Sequence, residues 1–568
     1  METMLIYLFA LLALTLNPLI WIRYRKSRFF LTMQVVRLVA GLLIIFILTY
    51  FALIDQNGQS LLSYGSLFVG IFLILDLIFI QKKRFAWTPL VGVLFLLFFC
   101  FLHFFYPVTQ TQAKYRFIAQ HTTIVAKEKE SMDEQHIPVV SEPYARYKSE
   151  KLLGEIAHVS YYELGHTSLQ KIDGSLYWVT PIEYSGFFQW LKSRSVPGYI
   201  RMSAEDENAG ATLIHTKMKY VPSAYFNDNL KRHVRFFGQS PVLFSASFEP
   251  DDSGKPYYVI PYGYYEKLRQ IPDIKGVFLV DPKSGAVRRY SVNRVPAFVD
   301  QVIPSSVAEM WNQWYGENVH GFWNKFFSKE DIKKPTAWSQ SDEVNGVFDR
   351  KLHLNWFTDF TRPKSGSGAM VGYSMLNTRT GKMFYYSGAN GLLNGKSAMN
   401  IAEKTFKQNH YDAGIPTLYT IYGQETWVVP LMDTNDVLRE MMLVNAKNEN
   451  VYSAETDKQT LFDNYKYILA TKMTDDTSVP TARAHLRSIS GTVAKIYKYQ
   501  DNDTHQTMIE FMLQGNKRIF TVSSDQNPYA VFLENGDTVS ASYHDTSEIV
   551  TAVQKLQTTQ PAAKKKQN

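Results

Sequence analysis

GVFLVDPKSGAVRRYSV, residues 276–292, returns as GYSMLNTRTGKMFYYSG at residues 372–388. Each copy reads as a strand, a turn opened by Asp or Asn and closed by Gly, and a second strand. Asp281 and Gly285 of the first copy match Asn377 and Gly381 of the second. Hairpin geometry explains these residue types. An Asx side chain folds back onto the backbone, and Gly accepts a positive φ. A degenerate copy, MLVNAKNENVYS, begins at Met442, with Asn445 in the Asx place and Glu449 in place of the glycine. A second string recurs around the hairpins: YWVTP (177–181), YYVIP (257–261) and TWVVP (426–430), each after a polar turn. Short β-branched and aromatic runs alternate with turns and a few helical stretches, which predicts a modular α+β architecture.

The hairpins resemble those of PepSY-type modules, where a helix packs on a small antiparallel sheet carrying a V-D-x-x-T-G-x-V turn. The matching segments are VDPKSGAV (280–287) and LNTRTGKM (376–383), with SAMNIAEKTFKQ (397–408) as the helix of the second module. The resemblance implies two PepSY-like α+β modules, over 151–330 and 331–480. It also implies an envelope role such as protease inhibition or regulation, and it transfers no catalytic residue. Further on, LENGDTVSASY (533–543), with its turn at Gly536 and Asp537, resembles the late strand of an OB-fold. That implies a small β-barrel over 481–556, followed by a disordered basic tail at 557–568.

The N-terminus is of another kind. Four apolar segments, 5–22, 38–54, 61–80 and 85–106, are each long enough to cross a hydrocarbon core of roughly 30 Å. The first lacks a basic leading region and reads as an anchor, not a cleaved signal. IRYRKSR follows the first segment and QKKR the third, whereas DQNGQS between the second and third has no base. The positive-inside rule then puts the basic loops in the cytoplasm, and the N-terminus and everything after Tyr106 outside. Residues 1–106 hold eight Lys/Arg against three acids, and the rest of the chain 52 against 49. The basic balance therefore reflects membrane topology and not a nucleic-acid footprint. Four spans ahead of such modules also look like polytopic envelope proteins of Gram-positive bacteria and their mobile elements. Residues 107–150 read as a stalk helix and a linker. Asp76 is the one acid inside a span. It reads either as an ion site or, preferably, as the partner of Arg37 or Lys82 near the interface.

Candidate chemistry is sparse. The single cysteine, Cys100, excludes an intrachain disulfide and a Cys-based zinc site. NGLLNGKS (390–397) approaches a phosphate-binding loop, but Asn390 stands in the first glycine place, so it reads as a turn with Ser397 capping a helix. PKSGSG (363–368) lacks the setting of a serine nucleophile and reads as a loop. Phe187, Trp190 and Trp323 are candidate contact aromatics, whereas the spacing of Trp311, Trp314 and Tyr315 predicts one buried helix face. No catalytic residue, cofactor or metal ligand stands out. The expected function is a non-enzymatic, membrane-anchored scaffold, assembly factor or regulator binding protein partners at the cell envelope. The alternatives are a cell-wall glycan or polyanion binder and, only if the topology is inverted, nucleic-acid binding through the OB-like barrel.

Overall fold

The computed structural model describes residues 2–13, 21, 24–79, 87–126, 136–206, 208–339, 343–363, 368–434, 437–472, 486–500, 507–524, 527–544 and 550–559. Three helices are long and apolar enough to cross a membrane: Arg28–Phe51, Gly58–Leu75 and Trp87–Thr109. A shorter apolar helix, Glu2–Ala13, precedes them, and residues 14–20 and 22 of the first expected span lie outside the described residues. The Arg28 helix begins earlier than its apolar run, because Ser27 caps its N-terminus by accepting the Phe30 N–H. Arg37 is therefore inside this helix and not at its start. Helices Gly58–Leu75 and Trp87–Thr109 approach closely where Gly70 meets Gly92; a Cβ on Gly92 would stand 2.9 Å from the Gly70 carbonyl.

The chain forms two compact units, the first comprising residues 1–127, 135–397 and 433–438, the second residues 128–134, 398–432 and 439–568. Where a stalk and linker are expected, the structure has folded elements of the first unit. Helix Thr111–Gln120 buries Ile118 in a core, and strand Thr122–Val125 joins a sheet in parallel with Met383–Tyr386. Ser141 caps helix Glu142–Leu153, whose Pro143 lies in the first turn, a position proline tolerates.

Beyond the membrane helices, four successive sheets share one plan. Two short strands in tandem pair with one edge of a long strand, and the next two strands follow on its other side. The long strands are Ser175–Tyr184, Tyr258–Glu266, Leu354–Thr361 and Gln424–Met432. A helix precedes each set: Glu142–Leu153, Leu230–Phe237, Ser305–Glu317 and Gly395–Thr405. Trp178, Tyr258, Trp356 and Trp427 occupy one register position. The carbonyls of Pro181, Pro261, Asp359 and Pro430 each accept a backbone N–H, from Gly165, Phe244, Thr336 and Gly414, at 2.8–2.9 Å. Each of the two expected modules thus contains two such sheets. Helix Gly395–Thr405 stands ahead of the fourth set of strands.

The strand after each long strand begins its turn in the same way. Ser203, Asp281, Asn377 and Asn445 each accept two backbone N–H bonds onto one side-chain oxygen, at 2.9–3.2 Å. Gly285 and Gly381 follow at φ +75° and +70°. In the first three sheets a glycine precedes the turn: Gly198, Gly276 and Gly372, with φ +155°, +157° and +146°. A Cβ at Gly276 would lie 1.9 Å from the Tyr290 carbonyl, so only glycine lets the strands approach here.

In the first unit, successive sheets share the helices between them. Val179, Ile200 and Met218 of the first sheet meet Leu230 and Val234 of the following helix, together with Tyr258, Ile260 and Phe278 of the second sheet. The opposite face of the second sheet, Val259, Val277 and Leu279, packs with Trp311 and Trp314 of helix Ser305–Glu317 and with Trp356 and Leu376 of the third sheet. Covered on both faces, the second sheet reads as nearly unbroken apolar sequence.

The second unit contains the fourth sheet and a closed five-stranded barrel. In the sheet, helix Lys458–Lys472 contributes Tyr465, whose hydroxyl bonds Thr426 Oγ1 at 2.8 Å. The barrel strands are Leu486–Gln500, Thr507–Leu513, Ile519–Ser523, Thr538–His544 and Val550–Thr559, closed in the order first, second, third, fifth, fourth. Its third and fifth strands run parallel. Gly536, at φ +98°, donates its N–H to Val493, and the Asp537 carbonyl accepts the Val493 N–H in return. The last strand extends to Thr559, into the segment expected to be a tail; residues 560–568 lie outside the described residues.

Gly276→Ala should destabilise the purified protein by at least ~2 kcal/mol, because the strands must separate to admit a methyl group. Gly391→Ala, at φ +91° with open space around it, should cost only ~1 kcal/mol of backbone strain. Thermal unfolding in detergent separates the two.

Candidate functional site at the membrane junction

The loop between helices Arg28–Phe51 and Gly58–Leu75 is short, polar and buried, which a free loop at a membrane surface would not be. Asp55 and Gln56 are 4% and 3% exposed. Asn57 caps the second helix in a reciprocal capping box with Ser60. The remaining polar groups turn to the second sheet and to the loop ahead of it. Gln56 N–H donates to the Gln239 carbonyl at 2.9 Å, Asn57 Nδ2 to Ser240 at 3.1 Å, and Gln59 Nε2 to Tyr265 at 2.8 Å. The loop and the sheets therefore lie on one side of these helices.

Two arginines complete the seam. Arg269 Nη1 donates to Asp55 Oδ2 at 2.7 Å, and its backbone N–H donates to Gln59 Oε1 at 3.1 Å. Burial opposes the Arg269 charge, but the hydrogen bond and attraction of Asp55 outweigh it and raise its pKa. Arg235 is buried and donates to the carbonyls of Gly238, Gln239, Pro241 and Leu53. Burial lowers it to about 10, with Asp55 opposing the shift. Such a charge is tolerable because carbonyl oxygens replace its water.

The hairpin that carries Arg269 is strained. Lys267, Leu268 and Arg269 are consecutive non-glycine residues in the left-handed region, at φ +48°, +48° and +70°. Each costs roughly 1–3 kcal/mol unless its surroundings fix it. The fixing bonds come from residues 55–59. Beside the seam lies a cavity of about 180 Å³ lined by Ser63, Leu102, His103, Leu268, Arg269 and Gln270 among others. His103 Nδ1 donates to the Phe99 carbonyl at 2.9 Å, which leaves Nε2 to accept the Ser63 hydroxyl at 3.2 Å. This bond satisfies two polar groups on neighbouring helices. These bonds tie the second sheet to the ends of the helices.

Deeper in the helices, Arg37 donates to Asp76 at 2.7 Å and lies over the Phe72 ring at 4.6 Å. Asp76 thus pairs with Arg37, while Lys82 lies outside the described residues. The hairpin residues Asp281, Gly285, Asn377 and Gly381 form turns in separate sheets and do not converge. Trp190 is 4% exposed, with the Arg194 guanidinium over its ring at 4.5 Å, so it is a core residue and not a contact aromatic. Phe187 is half-buried in the same ring cluster, and Trp323 is exposed. His320, Glu330 and Asp331 bring ligand atoms within 4.8 Å of one another, but all three are exposed.

The phosphate-loop-like turn is already filled. Helix Gly395–Thr405 presents the Gly395 N–H to Asp359 Oδ2 at 3.3 Å, and Asn394, not Ser397, accepts the capping bond, from Ser397 N–H at 2.8 Å. Asp359 also accepts the Trp338 indole N–H at 2.8 Å. Its burial raises it to about 6 against these donors. In PKSGSG, residues 364–367 lie outside the described residues.

A pair of buried acids, Glu249 and Asp300, lies just beyond the second sheet's short strand Ser247–Phe248. Glu249 accepts the Asp300 and Gln301 N–H groups at 2.6 and 3.2 Å and the Ser247 hydroxyl at 2.5 Å. Asp300 Oδ2 has no partner. Burial and the Glu249 charge push Asp300 up to about 8, while Lys171 and Arg379 oppose the shift. Burial raises Glu249 as well, against the hydrogen bonds it accepts from Ser247, Asp300 and Gln301.

Sequence reasoning missed the seam. Its one legible signal was an acid, Asp55, in a loop without bases. Arg235 and Arg269 are distant in sequence, and three successive left-handed residues leave no compositional mark.

Asp55 is buried but Arg269 is about a quarter exposed, so removing the acid leaves a partly solvated guanidinium without its partner, and Asp55→Ala should destabilise the protein by about 1–3 kcal/mol. The double variant Asp55→Ala/Arg269→Ala should lose less than the sum of the singles, read as a coupling energy in a thermal-unfolding cycle. For Asp300 the sign is that of a raised acid. The folded state keeps a proton that the unfolded chain releases, so stability falls as pH rises from ~4 through the folded value near 8. Asp300→Asn should lose this slope, and its melting temperature should overtake the parent's progressively between pH 5 and 8.

The chain matches no family model and no curated protein.

Proposed function

We propose that the protein is a membrane-anchored scaffold, assembly factor or regulator that binds protein partners at the outer face of a Gram-positive-type cell envelope. The observation that supports this reading is the seam at Asp55, Gln59 and Arg269. It joins the one base-free loop to the sheets, while IRYRKSR and QKKR belong to the opposite ends of the helices. The positive-inside rule assigns that pattern an extracytoplasmic exterior. Segment 5–22 supplies the fourth span in this reading, with the N-terminus outside. The sheets are read as PepSY-like modules; at their hairpin tips Lys283, Ser284 and Thr380 are the exposed residues that partners would meet. The barrel's strand order, with its parallel third and fifth strands, is the support for an OB-like reading.

A second reading rests on the barrel surface. Tyr497 and Tyr499 stack at 5.7 Å, are both exposed, and lie on one strand; Tyr529 and Phe532 are exposed as well. Flat exposed rings suit the faces of cell-wall sugars. Nucleic acid would require the inverted topology.

Sidedness is the decisive test. In a Cys100→Ser background, Ser284→Cys should react with a membrane-impermeant maleimide in intact cells. Reaction only after lysis would overturn the orientation. Cross-linking in native membranes should then recover a stoichiometric protein partner. Retention on isolated cell wall without such a partner would favour the glycan reading.

A further inference from the structure

Two groups of large aromatic side chains face outward next to the helix ends, where burial would be expected. The first is on and beside helix Leu230–Phe237. Phe188 is 70% exposed and Phe237 61%, with Phe226 and Phe236 also exposed. This helix buries Leu230, Val234 and Arg235 and turns its two phenylalanines away from the core. Its position is fixed by the end of the span Arg28–Phe51. Arg232 Nε donates to the Tyr50 carbonyl at 2.8 Å, and the Arg232 guanidinium covers the Tyr50 ring at 4.6 Å. The Tyr50 hydroxyl donates to Asn227 at 3.2 Å, and Arg232 Nη1 reaches the Phe226 carbonyl at 2.7 Å.

The second group is on the short helix Phe322–Phe326 and the residue after it. Trp323 is 70% exposed, Phe327 76%, and Phe326 is exposed as well. Asn324 is the buried residue of this turn, donating to the carbonyls of Val319 and Glu330. The turn is also level with a helix end. Gly321, at its start, faces Gln112: a Cβ there would lie 3.5 Å from Gln112 Oε1. Gln112 comes just after the span Trp87–Thr109.

Both groups are thus bonded to, or in contact with, residues at the ends of membrane-spanning helices, and on the side where the sheets lie. Exposed rings of this size in water are unfavourable by the hydrophobic effect, and a run of them marks a contact surface. What meets a surface at the end of a membrane span is the lipid–water boundary, where aromatic side chains concentrate. A short helix that ends in two exposed phenylalanines, with bases such as Lys231 and Arg232 along it, has the composition of an interfacial element.

We propose that the extramembrane part of the first unit is seated in the boundary region of the leaflet where its own helices end. Two aromatic feet carry it: Phe188, Phe226, Phe236 and Phe237 form one, and Trp323, Phe326 and Phe327 the other. The occupant of both surfaces is the bilayer itself. The proposal stands for either orientation of the helices, so a failure of the sidedness test leaves it intact.

The test uses full-length protein in phosphatidylcholine nanodiscs. In the Cys100→Ser background, a nitroxide is attached in turn at Phe188→Cys, Phe237→Cys, Trp323→Cys and Phe327→Cys. Arg350→Cys, in an exposed turn ahead of strand Leu354–Thr361, is the control. At all four foot positions collisions with oxygen should exceed those with a water-soluble nickel chelate by several-fold relative to the control. Nickel access equal to that at Arg350 would overturn the proposal. So would protection from both reagents that persists in detergent micelles, since that is the mark of a face covered by protein. A readout that leaves the feet intact is quenching by lipids brominated near the headgroup. Parent protein should be quenched more than Trp323→Leu; equal quenching would overturn the second foot.

Discussion

A sheet has two faces, and both must be covered if it is not to present one to water. In the first unit two helices, Leu230–Phe237 and Ser305–Glu317, each cover two successive sheets. Leu230 and Val234 lie against the first and second sheets together, and Trp311 and Trp314 against the second and third. The other features follow from this sharing. The second sheet is apolar on both sides because it has no wet side. The turns at Asp281 and Asn377 lie at the sheet margins, where Asx oxygens can satisfy backbone N–H groups that the sheets leave unpaired. The acids Glu249 and Asp300 are both fully buried, where a second negative charge is costly.

The sequence made part of this legible. The hairpins at Asp281 and Asn377 and the string around Trp178, Tyr258 and Trp427 identified repetition directly. The full fourfold pattern was hidden by single substitutions. Asp359 stands where the other long strands have Pro, and Ser203 stands where the other turns have Asx. Both keep the backbone bond of the position while changing the letter. Helix Thr111–Gln120 read as a stalk because its composition is polar, yet Ile118 is fully buried. A polar helix can be integral to a fold when one residue per turn is enough to anchor it.

The membrane junction was far less legible, for a physical reason. Periodicity and turn chemistry are local, whereas Asp55, Arg235 and Arg269 become neighbours only after the helices and the second sheet are in place. The aromatics show the same limit from the other side. Trp190 and Trp323 have similar sequence surroundings, rich in phenylalanine. One is packed under Arg194 in the core of the first two sheets, and the other is exposed.

The strained tip Lys267–Arg269 bears on the order in which the chain is made. Residues 55–59 leave the ribosome well before the hairpin that binds them, so the mould exists before the object it shapes. A hairpin emerging beside helices already inserted meets the acceptors that hold its left-handed turn. The same hairpin on a chain whose helices have not inserted has none, and relaxes to another turn. Membrane insertion then becomes a checkpoint for the sheet, and soluble versions cut after the helices would carry a second sheet whose central hairpin lacks the bonds that set its turn.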